Sequence, residues 1–377
     1  MILSQEHQML RDAVREYARK RLAPSAAAWD RDATFPKEAL RGLAAMGLYG
    51  VAIPEEWGGA GMDHTALALA LEEIAVGDGA TSTIVQVNNL AAGVLLGYGT
   101  PTQKDRYLKP LARGDMLGAF ALTEPHTGSD ASAIRTRAVR TNDGYVLDGV
   151  KQFITSGKYA DVAVVFAVTD KEAGKNGISA FLVPTTAPGY IVARVEEKTG
   201  QHASDTAQIV FEACKIPAEN LLGTEGQGYR IALANLESGR INVAAQSVGM
   251  AQSALDATLK YAKERNTFGK PIIEHQAVSF RLADMATGIE AARQLYLHAA
   301  ALRDRGLPCL KEASMAKLFA SETAEKVCSD AIQLHGGYGY LRDFPVERIW
   351  RDVRVTQIYE GASDIQRMVI GRALAAG

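Results

Sequence analysis

Apolar positions in the first third of the chain follow a helical pattern. They recur at three- and four-residue spacing from Leu10 to Leu22, which predicts an amphipathic helix that stops at Pro24. Pro36 and Gly47 have the positions expected at the start and just past the end of a second helix. Two further helices are predicted in the segments TALALALEEIA and TPTQKDRYLKPLA.

The middle of the chain, from about residue 118 to residue 226, has a different pattern. Short runs rich in Val, Ile and Phe have the length of strands and are separated by turn residues. Asn142-Asp143-Gly144 and Asp148-Gly149 have the composition of hairpin turns. The predicted strands lie in YVLDGVKQFIT, ADVAVVFAV, GISAFLVP and AQIVFEA. These features predict a small antiparallel sheet or barrel.

Long helices are predicted again after Gly228. Residues 231–264 contain almost no helix breaker, and further helices are expected over about 276–305 and 309–334. Helices of this length in series favour a four-helix bundle. Strands and helices do not alternate, so no doubly wound sheet is expected.

The fold class predicted from this order is α+β. The 377 residues exceed the usual size of a single core, which also favours several domains. The predicted domains are an all-α domain over 1–117, a β-sheet or barrel domain over 118–226 and a four-helix-bundle domain over 227–377.

Composition narrows the functional classes. The formal net charge is −2, so no surface for nucleic acid is expected. The apolar stretches are too short to span a membrane, and the N-terminal segment lacks the apolar core of a signal peptide. Three widely spaced cysteines favour a reducing compartment, either a bacterial cytoplasm or a mitochondrial matrix. The histidines show no HExxH or HxxxH spacing, so no metal site is predicted.

Several segments carry polar or aromatic groups suited to a ligand. The glycines of 223–228 and 336–339 do not fit a dinucleotide-binding GxGxxG, but they could punctuate loops or bring backbone N–H groups to a phosphate. The loop ALTEPHTGSD (121–130) suits a polar ligand edge or an ordinary capped turn. Phe153 and Thr155 should share one face of a strand, where they could bind a planar heterocycle or where Phe153 could fill a core.

Glu360 lies in the segment VTQIYEGASDIQ (355–366). Ser363 and Gln366 have the spacing of a capping box, so a helix should begin at about Ser363 and Glu360 should lie in the preceding turn. Burial would raise the pKa of this carboxyl toward that of a general base, whereas the helix N-terminus would lower the pKa. The local pattern leaves both a surface glutamate and a base in a dry pocket open.

Six motifs in order resemble the acyl-CoA dehydrogenase family along essentially the whole chain. Two shorter segments, VQVNN (85–89) and KEASMAK (311–317), resemble short-chain and short-branched-chain members. The six motifs are IPEEWGGAGM (53–62), ALTEPHTGSD (121–130), KQFITSGKYAD (151–161), ERNTFGKPIIEHQ (264–276), QLHGGYGYLRDFPVERIWRD (333–352) and IYEGAS (358–363). The fold of this family agrees with the predicted order of sections.

The resemblance implies FAD-dependent α,β-dehydrogenation of an acyl-CoA thioester to the trans-2-enoyl-CoA. Glu360 matches the catalytic base, which removes the α-proton while flavin N5 accepts the β-hydride. The resemblance also implies an electron-transferring flavoprotein as acceptor and a homotetramer, a dimer of dimers. The implied pathways are fatty acid β-oxidation or branched-chain amino acid catabolism.

The resemblance further implies residues that contact FAD and substrate. The FAD-binding residues would be Phe120, Leu122, Thr123, Ser129, Phe153, Ile154, Thr155, Arg265, Phe268, Gln276, Gln333, Gly336, Gly337, Ala362 and Asp364. The substrate-binding residues would be Ser129, Glu237, Arg240, Tyr359 and Gly361. The residues that would reach the FAD of a neighbouring subunit are Arg265, Phe268, Gln276, Gln333 and Gly337.

Four residues at three sites depart from the family pattern, and two alternative functions stay open. His126-Thr127 replaces Gly-Ala, Phe153 replaces Trp, and Ala362 replaces a frequent Thr. A saturated short or branched acyl-CoA is the favoured substrate. The same fold could instead serve an acyl-CoA oxidase or related flavin oxidase that uses O2, or a non-enzymatic scaffold. Gly239 carries no carboxylate where isovaleryl- and very-long-chain-like members have their base.

Overall fold

The computed structural model describes residues 2–376, which form a helical section, a β-sheet and a second helical section. This order confirms the predicted α+β fold, whereas the domain boundaries stay a prediction. The helices are α1 Gln5–Tyr17, α2 Ala23–Asp32, α3 Lys37–Ala45, α4 His64–Gly77, α5 Gly79–Tyr98, α6 Pro101–Gln103, α7 Lys109–Arg113, α8 Gly228–Glu264, α9 Gln276–Asp304, α10 Leu310–His335, α11 Pro345–Val353 and α12 Ser363–Ala375. The strands are β1 Gly118–Ala121, β2 Arg137–Arg140, β3 Gly144–Thr155, β4 Val162–Val168, β5 Ile178–Pro184, β6 Tyr190–Val195, β7 Thr206–Pro217, β8 Leu221–Leu222, β9 Asn266–Thr267 and β10 Lys270–Pro271.

The first predicted helix continues past its expected stop. A π-helical turn, Ala18–Leu22, joins α1 to α2, and Pro24 lies in the first turn of α2. The stop predicted at Pro24 is therefore wrong, because proline is tolerated where its missing N–H group is not needed. The second helix is confirmed: α3 begins after Pro36 and is followed by Gly47 at φ +77°.

The next helices form the buried part of the N-terminal section. TALALALEEIA lies in α4, and TPTQKDRYLKPLA forms α6, a π-helical turn and α7. The helix α5 is buried along most of its length, and polar side chains such as Gln86 and Asn88 are buried with its apolar ones. A helix that is buried on all sides lies in the interior of the molecule, where its polar side chains need hydrogen-bond partners.

The middle section contains an eight-stranded sheet with the strand order β6-β7-β3-β2-β4-β5-β8, and β1 pairs with β4. The four predicted strand segments correspond to β3, β4, β5 and β7. The turn at Asn142-Asp143-Gly144 joins β2 to β3 with Arg140 opposite Tyr145, so this predicted hairpin is confirmed.

Two details of the predicted sheet are wrong. The sheet is mixed, because β1 and β2 both run parallel to β4. Asp148-Gly149 is not a turn between strands but lies within β3, where the pairing with β7 shifts register between Leu147 and Gly149. A β-bulge of this kind bends a strand without ending it, so turn residues in the sequence do not separate the two cases.

Three long helices dominate the C-terminal section. The helices α8, α9 and α10 pack against one another, and α12 packs against α10, which confirms the predicted bundle. The helix α4 crosses α8 at Gly249, where an added Cβ atom would lie 2.1 Å from the carbonyl oxygen of Glu72. The carboxylate of Glu72 accepts a hydrogen bond from Arg293 Nη2 at 2.8 Å, which ties α4 to α9. These contacts dock the N-terminal section onto the bundle.

Lys317 is a fully buried cation in α10. Its Nζ atom donates a hydrogen bond of 2.8 Å to the carbonyl oxygen of Gly361, in the turn before α12. Burial lowers the pKa of Lys317 to about 8, although the nearby Glu360 carboxylate opposes this shift. The turn that carries Glu360 is therefore attached to the core of the bundle.

A membrane-spanning helix and a metal site are both absent from the part of the chain that the structure describes. Among residues 2–376, no helix is both long and apolar enough to cross a membrane. The same residues contain no group of three His, Cys, Asp or Glu side chains placed to hold a metal ion.

The close contact between α4 and α8 predicts a large effect of a small substitution. Gly249→Ala should lower the free energy of unfolding by about 1–3 kcal/mol, because its Cβ atom would overlap the α4 backbone. Gly371→Ala is the control, since no atom lies within 4 Å of an added Cβ atom in α12, and alanine favours a helix by up to about 1 kcal/mol. Urea unfolding measures the free energy of unfolding of both variants. Equal effects at the two positions would contradict this packing.

The burial of Lys317 predicts a pH-dependent cost to stability. Its folded-state pKa of about 8 lies below its ordinary value of 10.5, so the unfolded chain binds more protons between these values. The cost is present below pH 8 and disappears as the pH rises to 10.5. Relative to Lys317→Met, the wild type should gain about 2–3 kcal/mol in free energy of unfolding between pH 7 and pH 10. A difference that is constant with pH would show that the folded-state pKa of Lys317 is not depressed.

Candidate active site

Glu360 lies in a turn with an unusual backbone. Glu360 has φ +53° and Gly361 has φ +91°, and α12 begins at Ser363. The left-handed conformation is costly for a glutamate, so surrounding contacts must hold it. The Gly361 carbonyl oxygen accepts hydrogen bonds from Lys317 Nζ and Gln366 Nε2, each at 2.8 Å. These two donors hold the turn from the bundle on one side and from α12 on the other.

The predicted capping box is wrong, although the predicted helix start is confirmed. The N-cap of α12 is Ala362, which makes no side-chain capping bond, and Ser363 Oγ has no hydrogen-bond partner. Gln366 instead donates to the carbonyl oxygens of Glu360, at 3.2 Å, and Gly361. An added Cβ atom at Gly361 would lie 2.6 Å from Gln366 Nε2, so glycine gives this amide its room.

The two carboxylate oxygens of Glu360 have different surroundings. Oε1 accepts a hydrogen bond of 2.5 Å from Gln86 Nε2, on α5. Oε2 is shielded from solvent and has no hydrogen-bond partner. It faces Gly239 on α8, where an added Cβ atom would lie 1.7 Å away. The carboxylate thus fits between α5 and α8 because α8 has no side chain at this point.

Burial raises the pKa of Glu360 above its ordinary value. The hydrogen bond from Gln86 opposes this shift, as do the positive charges of Lys317 and Arg240. Desolvation is the largest of these effects because it disfavours the charged form of the carboxyl. The site therefore favours a carboxyl whose proton affinity exceeds that of a surface glutamate.

Arg240 is a second buried cation near Glu360. Its side chain is 6% exposed, and both Nε and Nη1 are buried without a hydrogen-bond partner. Burial lowers its pKa, while Glu360 and Glu237 raise it. Buried polar groups normally have partners, so the free N–H groups indicate a site for an acceptor group that a ligand supplies. Fixed positive charge in this place would also stabilise negative charge that develops during a reaction.

A buried polar network lies behind the turn. Tyr359 donates its hydroxyl to Gln246 Oε1, and Gln246 Nε2 donates to Thr83 Oγ1. Thr83 Oγ1 donates to Gln201 Oε1 at 2.7 Å, and the Gln201 backbone N–H donates to Asp352. The network connects the helical bundle, α5 and the loop between β6 and β7. It couples the position of Tyr359 to all three sections of the fold.

The predicted flavin residues of β3 lie at a bulge. The pairing of β3 with β7 shifts register between Lys151 and Ile154, and Phe153 has φ +60°. The alternation predicted for Phe153 and Thr155 is therefore interrupted there, although both are more exposed than the buried Ile154 between them. Phe153 is 62% exposed, which excludes a role in the core and leaves its ring free to stack on a ligand.

The loop 121–130 lies beside this bulge. The carbonyl oxygen of Thr123 accepts a hydrogen bond of 2.8 Å from the Gln152 backbone N–H. Phe120 and Thr123 are half-buried, Leu122 is buried and Ser129 is exposed. The loop thus presents the hydroxyl-bearing residues Thr123 and Ser129 close to the strand end that carries Phe153 and Thr155.

Two buried charges anchor the loop. The Glu124 carboxylate accepts hydrogen bonds from Lys151 Nζ at 2.8 Å and from the backbone N–H groups of Arg135 and Thr136. The residues that depart from the family pattern add to this anchoring. Thr127 Oγ1 donates to the Asp130 carbonyl oxygen at 2.6 Å, and a His126 ring nitrogen lies 3.0 Å from the Ala133 carbonyl oxygen.

The residues predicted to reach a neighbouring subunit lie apart from Glu360. A cavity of about 550 Å³ is lined by Arg265, Gln333, Gly336 and Gly337, together with aromatic and aliphatic side chains. Phe268 projects from the β9–β10 hairpin and is 98% exposed, and Gln276 is exposed at the start of α9. A side chain of this size is rarely left in solvent, so this edge has the character of a surface that another molecule covers.

Other predicted residues have different surroundings. Glu237 accepts hydrogen bonds from Arg303 Nη1 at 3.1 Å and Cys309 Sγ at 3.2 Å, so its carboxylate is already engaged. Asp364 is exposed and pairs with Arg367 at 3.3 Å. Ala362, Tyr359 and Gly361 adjoin Glu360 in the turn and are half-buried.

The sequence analysis missed the contacts of three residues that hold Glu360 and its turn: Gln86, Lys317 and Gln366. Each had a weak signal. Gln86 lies between two valines, and Lys317 lies between an alanine and a leucine, and a polar residue with apolar neighbours can indicate a buried polar partner. The spacing of Gln366 was assigned to a cap instead of to the turn.

The described residues fit a bound flavin nucleotide. An exposed aromatic ring at Phe153 suits a planar heterocycle, and Ser156 Oγ is buried without a partner near the same bulge. At Gly336 and Gly337 no atom lies within 4 Å of an added Cβ atom, which leaves the backbone open to a ligand.

Comparisons with known proteins identify the family to which the chain belongs. The N-terminal, middle and C-terminal domain models of acyl-CoA dehydrogenases match residues 4–115, 119–214 and 226–375. The chain is 47% identical to the mitochondrial short-chain specific acyl-CoA dehydrogenase of Mus musculus, over 98% of this chain and 90% of that protein. It is 42% identical to the solved butyryl-CoA dehydrogenase of Megasphaera elsdenii, with a TM-score of 0.97 and coverage of 100% and 99%.

A further solved chain comes from work on the electron transferring flavoprotein of Acidaminococcus fermentans and flavin-based electron bifurcation. It is 46% identical, with a TM-score of 0.99 and full coverage of both chains. These similarities extend over the whole fold and include the sections that surround Glu360. The chain therefore belongs to the acyl-CoA dehydrogenase family of enzymes.

Proposed function

We propose that the protein dehydrogenates a short or short-branched-chain acyl-CoA to its trans-2-enoyl-CoA, with Glu360 as the base that removes the α-proton. The observation that carries this proposal is the buried, unpartnered Oε2 atom of Glu360 on a backbone turn held by Lys317 and Gln366. A carboxylate that has lost its water is a stronger base toward a weakly acidic C–H group.

The surroundings of Glu360 supply the electrostatics that this step needs. Removal of the α-proton leaves negative charge on the thioester. Arg240 and Lys317 are buried cations near the carboxylate, and Arg240 has N–H groups without protein partners. Fixed charges in a site with little water stabilise such charge without having to reorganise. The role proposed for Arg240 is therefore to stabilise the developing charge at the acyl end of the substrate.

We propose FAD as the cofactor. Bound FAD would supply the acceptor for the hydride that leaves the β-carbon. Thr123, Ser129, Phe153 and Thr155 would hold its flavin and phosphate side, together with Ala362 and Asp364 at the start of α12. The remaining contacts proposed are Phe120 in β1, Leu122 just after it and Ile154 in β3.

A second set of residues supports a homotetrameric assembly. Arg265, Gln333, Gly336 and Gly337 share a cavity, and Phe268 beside it is almost fully exposed. These residues, with Gln276, would contact the FAD of a neighbouring subunit and become covered there. The assembly would thus complete each cofactor site.

The proposed electron acceptor is an electron-transferring flavoprotein, and the proposed compartment is a reducing, cytoplasm-like one. The similarity to a chain studied with such a flavoprotein supports the first statement. Cys214, Cys309 and Cys328 are buried free thiols, which agrees with a reducing compartment.

Among the proposed substrate contacts, Glu237 is paired with Arg303, so it would act on the substrate only through its neighbours.

An anaerobic titration with acyl-CoAs of different length tests the substrate. We expect butyryl-, isobutyryl- or 2-methylbutyryl-CoA to bleach the oxidised-flavin band, since the chain is similar to short-chain enzymes. Bleaching by long chains alone would contradict the proposed chain length. Rapid reoxidation of the reduced protein by air would favour an oxidase, and a colourless protein that takes up no FAD would favour a scaffold.

Glu360→Gln tests the base. The amide keeps the size of the side chain but cannot take a proton, so bleaching should slow by at least about 10²–10⁴-fold while FAD stays bound. Glu73→Gln is the control: Glu73 is also buried, but its carboxylate pairs with Arg15 at 2.5 Å in the contact between α1 and α4. This control should change stability and leave the bleaching rate intact. Bleaching at the wild-type rate in Glu360→Gln would assign the base to another residue.

A further inference from the structure

We infer that Gln86 is a positioning residue of this active site: it holds Glu360 by one oxygen, Oε1, and leaves the other, Oε2, to receive the substrate proton. The inference rests on the proposed role of Glu360 as the base. It assigns a function to a residue of α5, a helix that contributes no other hydrogen bond to the carboxylate among the described residues.

The contact between Gln86 and Glu360 joins two otherwise remote parts of the chain. Gln86 is 1% exposed and lies within a buried helix, so its amide has few alternative positions. Its Nε2 atom lies 2.5 Å from Glu360 Oε1. An ionised carboxylate only accepts hydrogen bonds, so the amide must turn its N–H₂ group toward Glu360. The geometry therefore fits the charged, proton-accepting form of the base.

The second oxygen is left free by the packing of α8. Oε2 has no partner and is shielded from solvent. An added Cβ atom at Gly239 would lie 1.7 Å from it, so the oxygen occupies space that only a glycine leaves open. With Oε1 held by Gln86, the carboxylate has one oxygen whose lone pairs are uncommitted. That oxygen can take a proton without first breaking a hydrogen bond.

The hydrogen bond also changes the proton affinity of the base. Donation to the charged form lowers the pKa of Glu360, against the larger effect of burial, which raises it. The other charged or titratable groups facing Glu360 are Lys317 on α10, Arg240 on α8 and the neighbouring Tyr359. A change at Gln86 leaves these three groups in place, so their effects stay constant in the comparison.

Gln86→Met removes the donor and keeps an unbranched side chain of similar length. We expect the acid limb of the pH profile for flavin bleaching by butyryl-CoA to move to higher pH, because the charged base has lost a hydrogen bond. Below the folded-state pKa of the base, the rate should fall on the order of tenfold, as expected for a hydrogen bond to a charged group. At high pH, where the base is ionised in both proteins, the rates should approach each other.

A second measurement follows proton removal without dehydrogenation. In 3-thiabutyryl-CoA a sulfur atom replaces the β-carbon, so no hydride can leave and the complex stops after loss of the α-proton. The long-wavelength absorbance of the deprotonated complex should form at higher pH in Gln86→Met than in the wild type. Gln103→Met is the matched control, because this buried amide donates to the Glu219 and Leu221 carbonyl oxygens outside the site. It should lower stability without moving either pH profile.

The outcomes separate this inference from the proposed function. A uniform loss of rate at every pH in Gln86→Met, or an unchanged profile, overturns the positioning role and leaves Glu360 as the base. Wild-type bleaching in Glu360→Gln overturns the base and the inference together. If Gln86→Met does not fold, Gln86→Leu tests the same loss of the donor, and thermal unfolding of both variants reports whether the fold is retained.

Discussion

The active site depends on keeping one carboxylate buried without a direct ion pair. A contact with a cation would satisfy the charge of Glu360, but it would also occupy the oxygen proposed to accept the substrate proton. Instead, Lys317 Nζ bonds to the Gly361 carbonyl oxygen, and two nitrogens of Arg240 have no partner. Their charges reach Glu360 through space. Buried charges are costly when they are incompletely paired, so the surrounding fold must be rigid enough to maintain this arrangement.

The three sections of the fold each supply part of that rigidity. The N-terminal section provides Gln86 on a helix buried on all sides, and the bundle provides Gly239, where a side chain would collide with the base. The loop after β6 joins through Gln201, which links Thr83 to Asp352 behind Tyr359. The three sections cannot shift relative to one another without breaking these hydrogen bonds, and each broken bond would leave a buried polar group unsatisfied. The packing of the three sections therefore determines the surroundings of the Glu360 carboxylate.

Much of the fold was predictable from the sequence, because long amphipathic helices and short β-rich runs have distinct periods. The role of Glu360 stays a prediction, which rests on six motifs in order and not on its neighbours, whose composition equally suits a surface turn. Gln86 could not be found in this way, since its partner is 274 residues away in the chain. The bulge at Phe153 and the amide of Gln366 were misread because local spacing does not report which backbone groups are already paired. Pro24 was misread for a similar reason, as a π-helical turn removed the need for its N–H group.

The long separation between Gln86 and Glu360 has a consequence for how the enzyme acquires its activity. Contacts between residues far apart in the chain slow folding, because the loop between them has to close before they form. The turn that carries Glu360 is held by α10 and α12, which both lie late in the chain. Its carboxylate also accepts a hydrogen bond from Gln86 on α5. A nascent chain still on the ribosome therefore cannot assemble the site before its final helices emerge. The contacts around Glu360 therefore exist only in a chain whose C-terminal helices have folded.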